Sequence, residues 1–151
     1  MFRGVQHISL DAKGRMAMPA KHRERLQQSC DGQLVATIDI QSRCLLVYPL
    51  PAWENIQREI QNLPTLNPDV RRFQRLLIGY ASDLEFDASG RVLLPQSLRD
   101  YAGLDKRVVL VGQGNKLEIW DEAYWIEQRD GWIDASMDAS ALPEEMLRLA
   151  L

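Results

Sequence analysis

Residues 10–19 read LDAKGRMAMP and residues 86–95 read FDASGRVLLP, so one short pattern occurs twice in the chain. Five of its residues recur 76 positions later: Asp11, Ala12, Gly14, Arg15 and Pro19 return as Asp87, Ala88, Gly90, Arg91 and Pro95. An ordered internal repeat indicates one supersecondary unit that is built twice. A site formed by this unit should therefore also occur twice.

The similarity continues downstream at a smaller separation. Leu45, Val47, Tyr48 and Trp53 correspond to Leu117, Ile119, Trp120 and Trp125, each 72 positions later. The first copy thus has four more residues than the second, which predicts a longer loop in that copy. We place repeat 1 at 5–52, a helical insert at 53–80, repeat 2 at 81–124 and a C-terminal helical tail at 125–151.

Both copies follow the same predicted order of elements. Apolar residues alternate over 5–10 and 81–86, which predicts first strands. In the tight turns that follow, Asp accepts backbone hydrogen bonds and Gly takes a positive φ, so the turn-shaping residues are Asp11, Gly14, Asp87 and Gly90. A second strand, a short helix that follows Pro and a closing strand pair complete two β-β-α-β-β units. The predicted helices are 20–28 and 96–101, and the closing pairs are 34–38 with 44–48 and 107–111 with 116–120.

Outside the copies the sequence predicts helices. An apolar face spaced by three and four residues runs from Trp53 to Leu63, and Asn67 is expected to cap a second helix over 68–78. In the tail, Gly131 is expected to break the helical run after Tyr124. A last short helix is expected at 144–151.

Charge is unevenly distributed along a chain whose net charge is −3. Residues 1–25 contain six basic and two acidic side chains, whereas residues 121–151 contain two basic and eight acidic ones. A basic segment of this kind suits a polyanionic partner, and an acidic tail is usually solvated. No apolar run approaches the roughly 20 residues of a membrane helix, so we expect a cytoplasmic protein without a membrane partner.

The sequence predicts no metal site and no cofactor. Cys30 and Cys44 lack C-x-x-C spacing, and the two histidines are isolated, whereas a metal site needs three or four converging ligands. We interpret the two cysteines as one in a loop and one in the core of a strand. No phosphate-binding loop or nucleophile motif is present, so no small-molecule substrate is predicted.

Three classes of function remain. The paired Asp11 and Asp87 are reminiscent of an aspartic dyad, but Ala follows each of them and Arg lies four residues later, so no catalytic residue is predicted. A DNA-binding protein would project Arg15 and Arg91 from rigid turns, because Arg suits guanine edges and phosphates. The structural alternative is that each Asp–Arg pair only braces its turn. An assembly scaffold would use some of the aromatic residues as interface anchors.

The paired D-x-x-G-R-x-x-x-P motifs, their spacing, the helical insert and the total length resemble the MraZ family over essentially the whole chain. This resemblance implies an α+β fold in which two AbrB-like swapped-hairpin repeats share a small barrel-like core. It also implies a ring-shaped homo-oligomer that binds spaced repeats in double-stranded promoter DNA. Such a regulator associates with the nucleoid and mainly represses its own promoter and the division and cell-wall gene cluster.

The resemblance places Arg15 first among the DNA-binding residues, followed by Lys13 and Arg91. Arg3 is a further candidate by charge, as are the basic residues Lys21, Arg23 and Arg25. Ser89 stands where the first copy has Lys13, which leaves open whether the second turn contacts bases, phosphates or a subunit interface. The alternative function is an assembly or antitoxin-like module whose main partner is a protein.

Overall fold

The structure, a computed structural model, describes residues 1–137 and 142–151 and has a mixed α+β fold. The first part of the chain forms β1 (Val5–Ser9), β2 (Arg15–Ala17), α1 (Ala20–Cys30), β3 (Leu34–Ile38), β4 (Leu45–Pro49), α2 (Leu50–Gln61) and α3 (Pro68–Gly79). The second forms β5 (Ser82–Leu84), β6 (Arg91–Leu93), α4 (Gln96–Ala102), β7 (Arg107–Gly112), β8 (Leu117–Asp121), α5 (Glu122–Ser136) and α6 (Glu144–Leu147). Within the described ranges, no helix has the length and apolar character needed to cross a bilayer.

Six strands form one antiparallel sheet in the order β1-β7-β8-β4-β3-β5, and β2 pairs with β6 in a separate ribbon. The first strand of each copy pairs with the third strand of the other copy, as β1 with β7 and β5 with β3. At the centre of the sheet, β4 pairs with β8 through Leu46 and Glu118, which are equivalent positions of the two copies. The sheet is therefore pseudo-symmetric, and neither copy completes its strand pairing alone.

Local residue chemistry explains where several helices begin and end. Asn67 caps α3 because its side chain accepts a hydrogen bond from the backbone N–H of Asp69. Gly103 ends α4 in the left-handed conformation, with a φ of 61°. The cap at Asn67 confirms the sequence prediction.

The extra residues of the first copy do not form one longer loop, as the sequence suggested. Helix α1 has 11 residues where α4 has 7. The loop between β3 and β4 spans six residues, 39–44, whereas the loop between β7 and β8 spans four, 113–116. The added length is thus divided between a helix and a turn, and both leave the strand pairing unchanged.

Three apolar clusters fill the interior formed by residues 1–137 and 142–151. The main cluster takes side chains from both copies, including Met16 and Leu34 from the first and Val92 and Leu110 from the second. Two smaller clusters occupy equivalent places in the two copies. The first lies under α2 and α3 and contains Val35, Tyr48 and Trp53; the second lies under α5 and contains Val109, Trp120 and Trp125.

The predicted helix break at Gly131 is wrong, because α5 continues through this residue to Ser136. Trp125 and Trp132 lie on α5 and contact the ring of Trp120 at centroid distances of 5.5 and 5.6 Å. Aromatic contacts of this kind exceed the ~1 kcal/mol that glycine costs inside a helix. The final helix is also shorter than predicted and ends at Leu147, and residues 138–141 of the predicted tail lie outside the described residues.

Candidate nucleic-acid interface

The first repeated turn is held together by the carboxylate of Asp11. This carboxylate accepts hydrogen bonds from the backbone N–H groups of Lys13 at 3.0 Å and Arg15 at 2.8 Å. It also accepts one from Nε of Arg15 at 2.7 Å. Gly14 has a φ of 88° and donates its N–H to the carbonyl of Asp11 at 3.0 Å. A residue with a Cβ disfavours this conformation, so the glycine follows from the shape of the turn.

The second turn repeats this geometry almost atom for atom. Asp87 accepts hydrogen bonds from the backbone N–H groups of Ser89 and Arg91, both at 2.9 Å, and from Nε of Arg91 at 3.0 Å. Gly90 has a φ of 77° and donates to the carbonyl of Asp87 at 3.0 Å. The repeated residues therefore build the same turn twice, with one arginine fixed by its own aspartate in each.

The electrostatics of the two aspartates differ from those of a catalytic dyad. Backbone hydrogen bonding from Arg15 is the largest cause that lowers the pKa of Asp11 to about 2. The pKa of Asp87 is also lowered, chiefly by the backbone hydrogen bond from Arg91. A dyad that shares one proton raises the pKa of one carboxyl group. The two carboxylates are instead arranged to stay ionised and to hold the arginines.

The two turns lie at opposite ends of the ribbon formed by β2 and β6. Met16 pairs with Val92 at the centre of the ribbon, and both side chains are buried in the main cluster. Because side chains alternate across a strand, the flanking residues point the other way. This outer face of the ribbon consists of Arg15, Ala17, Arg91 and Leu93. The arginine side chains there are 30 and 34% exposed.

The two turn arginines are not equally neutralised. Arg15 forms an ion pair with Asp11 at 2.7 Å. Arg91 pairs with Asp87 at 3.0 Å, and its Nη1 also lies 3.7 Å from the carboxylate of Asp11. Arg91 is therefore shared between two acidic groups, whereas Arg15 has one.

Two further arginines each cover the turn of the other copy. The sequence alone did not indicate that they contact the turns. Arg99 on α4 covers the first turn, where a Cβ on Gly14 would collide with its guanidinium group. Arg23 on α1 covers the second turn and would collide with a Cβ on Gly90 in the same way. Their guanidinium groups donate to the carbonyls of Leu94 at 2.9 Å and Met18 at 3.3 Å, respectively. Arg23 and Arg99 are 76 positions apart, so a longer comparison of the two copies would have revealed them.

The structure brings only some of the predicted site residues together. Arg15, Arg91, Asp11 and Asp87 surround the ribbon, and Lys13 is exposed on the first turn. Arg3 instead lines a separate cavity together with residues at the start of α1.

Asp39, Cys44 and Glu118 also converge, with one potential ligand atom from each within 4.8 Å of the others. The sequence did not indicate this cluster because Glu118 belongs to the other copy. Burial is the main cause that raises the pKa of the Cys44 thiol far above its ordinary value, which keeps the thiol protonated. Cys30, interpreted as a loop residue, is in fact the buried last residue of α1.

Comparison with known proteins finds the same duplication. The family model described as "MraZ protein, putative antitoxin-like" matches residues 1–76 and again residues 77–148. The protein named "Transcriptional regulator MraZ" from Alkalilimnicola ehrlichii is 56% identical over 151 residues, and the match covers 100% of both chains. Proteins of the same name from Halorhodospira halophila and Coxiella burnetii are 55 and 49% identical over 152 residues, again with 100% of both chains covered.

Proposed function

This chain belongs to the MraZ family, and on that premise we propose that it is a DNA-binding transcriptional regulator. The relatives reported above are named as transcriptional regulators rather than as enzymes. The observation that carries the proposal is the outer face of the ribbon, where Arg15 and Arg91 project from two rigid turns. A two-stranded ribbon of this kind fits the major groove of B-form DNA.

Arg15 is proposed as the main base-reading residue. Its Nε is bound by Asp11 at 2.7 Å, which orients the guanidinium plane. Arginine uses paired nitrogen donors for bidentate contact with guanine O6 and N7, and a guanidinium group fixed in advance loses less entropy on binding. Lys13, exposed beside it, is proposed as a phosphate contact. Arg91 is proposed as a weaker contact because Asp11 and Asp87 share its charge.

Replacement of Arg15 by Ala tests this proposal. We expect loss of promoter binding in a gel shift, while size-exclusion chromatography shows the same oligomer as the unaltered protein. Arg72→Ala, on the exposed surface of α3, removes an equal charge outside the ribbon and its two turns and should leave binding unchanged. If Arg15→Ala binds DNA with unchanged affinity, the Asp11–Arg15 pair only stabilises its turn.

We further propose that the protein acts as a ring-shaped homo-oligomer that represses its own promoter and the division and cell-wall gene cluster. This part rests on the family resemblance. One or two arginines per subunit give a weak site, but several subunits on spaced DNA repeats add avidity without new contacts. Affinity should therefore rise steeply with the number of repeats and depend on their spacing. A single-repeat DNA bound as tightly as a promoter with several repeats contradicts this mechanism.

The two copies are proposed to form one AbrB-like swapped-hairpin unit with a shared barrel-like core, bounded as repeats at 5–52 and 81–124. The support is the exchange of first strands, since β1 pairs with β7 and β5 with β3. Expression of either repeat alone tests it, because each would then lack the partner strands that complete its sheet. A folded, monomeric single repeat contradicts the proposal. Nucleoid association, also proposed, is testable by imaging a fluorescent fusion.

A protein-binding, antitoxin-like role is the second candidate. The family description contains that term, and Trp132 and Ile133 on α5, with Met137 directly after it, are 45, 47 and 79% exposed. Co-expression with the product of the neighbouring gene distinguishes the two roles. A stoichiometric complex together with no promoter binding would favour the protein-binding role.

A further inference from the structure

We infer that a cavity between the N-terminal residues and the start of α1 binds a phosphate group of the DNA backbone. This inference rests on the proposed DNA-binding function and adds a second contact region to it. The cavity, here called the cationic pocket, measures about 290 Å³. It is lined by Met1, Arg3, Lys21, His22 and Arg25.

The charge of the cationic pocket is positive and uncompensated. Within residues 1–137 and 142–151, no carboxylate lies within ion-pair distance of Arg3, Lys21 or Arg25. Helix α1 adds to the field, since its first turn has no acidic residue and Pro19 provides no side-chain cap. The N–H groups and positive dipole end of a helix favour an anion at this position. A bound phosphate would relieve the repulsion among the cations.

The second copy holds the segment that carries Arg3 in place. The backbone N–H of Phe2 donates to the carbonyl of Gly114 at 2.7 Å, and Gly114 donates back at 2.8 Å. Gly112 donates to the carbonyl of Gly4 at 2.8 Å, and a Cβ on Gly112 would collide with the backbone of Arg3. The backbone of Arg3 is thus fixed before any ligand binds, which reduces the entropy cost of binding.

Buried groups complete the cationic pocket. His22 is 2% exposed, its Nε2 lies 3.3 Å from Oε1 of Gln6, and its ring meets the ring of Phe2 edge to face. Arg25 lies over the Phe2 ring, 6.0 Å from the centroid, and donates to the carbonyl of Met1. Burial lowers the pKa of His22, and the nearby charges of Lys21 and Arg25 lower it further. A phosphate in the cationic pocket would oppose the effect of those charges, so His22 can report its binding.

The second copy has no equivalent of the cationic pocket. The positions that correspond to Arg3, Lys21 and Arg25 are occupied by Gly79, Ser97 and Tyr101. None of these carries a positive charge. The phosphate contact therefore breaks the pseudo-symmetry and orients the first copy toward the DNA.

The salt dependence of DNA binding tests the inference. We expect the double variant Arg3→Ala/Arg25→Ala to lower the slope of log affinity against log salt by about 0.9 for each bound subunit, because the cationic pocket holds one phosphate and each phosphate contact contributes about 0.9. The loss should be equal for promoter and scrambled DNA, since backbone contacts carry no sequence information. The exposed pair Arg72→Ala/Arg129→Ala removes the same charge elsewhere and should leave the slope unchanged. Arg3→Ala alone, at an exposed side chain, should lower the slope by a smaller amount, since Lys21 and Arg25 remain, and should leave the melting temperature unchanged.

The variants and a titration with inorganic phosphate together distinguish failure of the pocket inference from failure of the proposed function. If Arg15→Ala abolishes promoter binding but the double variant keeps its salt slope, the pocket inference is overturned and the proposed function stands. If the unaltered protein binds no DNA, the proposed function fails. The inference that the cationic pocket binds a DNA phosphate then fails as well. A saturable change in the NMR signals of the His22 ring on addition of inorganic phosphate, absent from the double variant, would then assign the pocket to a free anion.

Discussion

The turns at 11–15 and 87–91 have the same backbone and different surroundings. In both, one aspartate accepts two backbone N–H groups and one arginine Nε, and one glycine takes a positive φ. In both, an arginine from the opposite copy covers the glycine. The first turn, however, carries Lys13 where the second has Ser89, and only the first copy has the cationic pocket. The duplicated residues thus maintain the scaffold, while the residues that differ control the charge.

The comparison also explains why an acidic chain can contact DNA. Residues 1–25 carry six basic and two acidic side chains, so this part of the first copy has a net positive charge within an acidic chain. Asp11 draws on both turn arginines, but it pairs with Arg15 at 2.7 Å and reaches Arg91 only at 3.7 Å. The second turn, with Ser89 in place of Lys13, carries one positive charge fewer than the first.

The largest expected difference between the copies is in DNA affinity. We expect Arg15→Ala to weaken promoter binding by about 100-fold or more, because a bidentate guanine contact is worth about 1–3 kcal/mol and several subunits lose it together. Arg91→Ala should have an equal or smaller effect, since Asp11 and Asp87 already share its charge. Fluorescence anisotropy with promoter DNA measures both. A distinctly larger loss for Arg91→Ala would invert the ranking of the copies.

The two turns should contribute equally to the free energy of unfolding. Gly14→Ala and Gly90→Ala each force a Cβ into positive φ and against an arginine, so each should lower the free energy of unfolding by about 1–3 kcal/mol. Thermal unfolding measures the change. Gly131→Ala is the matched control: no atom lies within 4 Å of its new Cβ, and a helix interior prefers Ala by about 0.5–1 kcal/mol. If either variant leaves the free energy of unfolding unchanged, the fold does not impose a positive φ at that glycine.

Exchange of the residues at positions 13 and 89 should exchange the charge difference between the two turns. Lys13→Ser gives the first turn the chemistry of the second and should reduce the salt slope of DNA binding by about 0.9. Ser89→Lys performs the reverse exchange and should raise the slope only if the second turn also lies near phosphate. Salt titrations of the two single variants and of the double exchange measure this. If Lys13→Ser leaves the slope unchanged, Lys13 is not a phosphate contact.

The smallest expected difference is in acid stability. The folded pKa of Asp11 is about 2, below the ordinary value of 3.8, and that of Asp87 is also lowered. A lowered folded pKa gives stability that is full above 3.8 and is lost as pH falls toward the folded value. Asp11→Asn should therefore reduce the drop in melting temperature between pH 6 and pH 3, and by more than Asp87→Asn does. Carboxyl NMR titration measures both groups directly, and an Asp11 that titrates at its ordinary pKa contradicts the described turn.

Much of the local structure was predictable from the sequence. The repeated Asp, Gly and Pro positions specify turns and helix starts through contacts within five residues, and Asn67 and Gly103 mark helix ends in the same local way. The mixed α+β class and the MraZ family followed from these motifs and are confirmed. Gly131 shows where local reasoning fails, because tryptophan contacts between α5 and Trp120 outweigh a weak helix preference.

The sequence by itself determined that two equal turns exist and that each carries an aspartate, a glycine and an arginine; the structure shows that each aspartate binds its own arginine. Only the tertiary structure decided that β2 pairs with β6, so that both arginines share one face, and that Arg23 and Arg99 each cover the turn of the other copy. It also decided that Gly112 and Gly114 fix the N-terminal segment that carries Arg3. The physical reason is that strand pairing uses backbone groups common to every residue. Such pairings across the chain become specific only when burial of the shared core selects one arrangement.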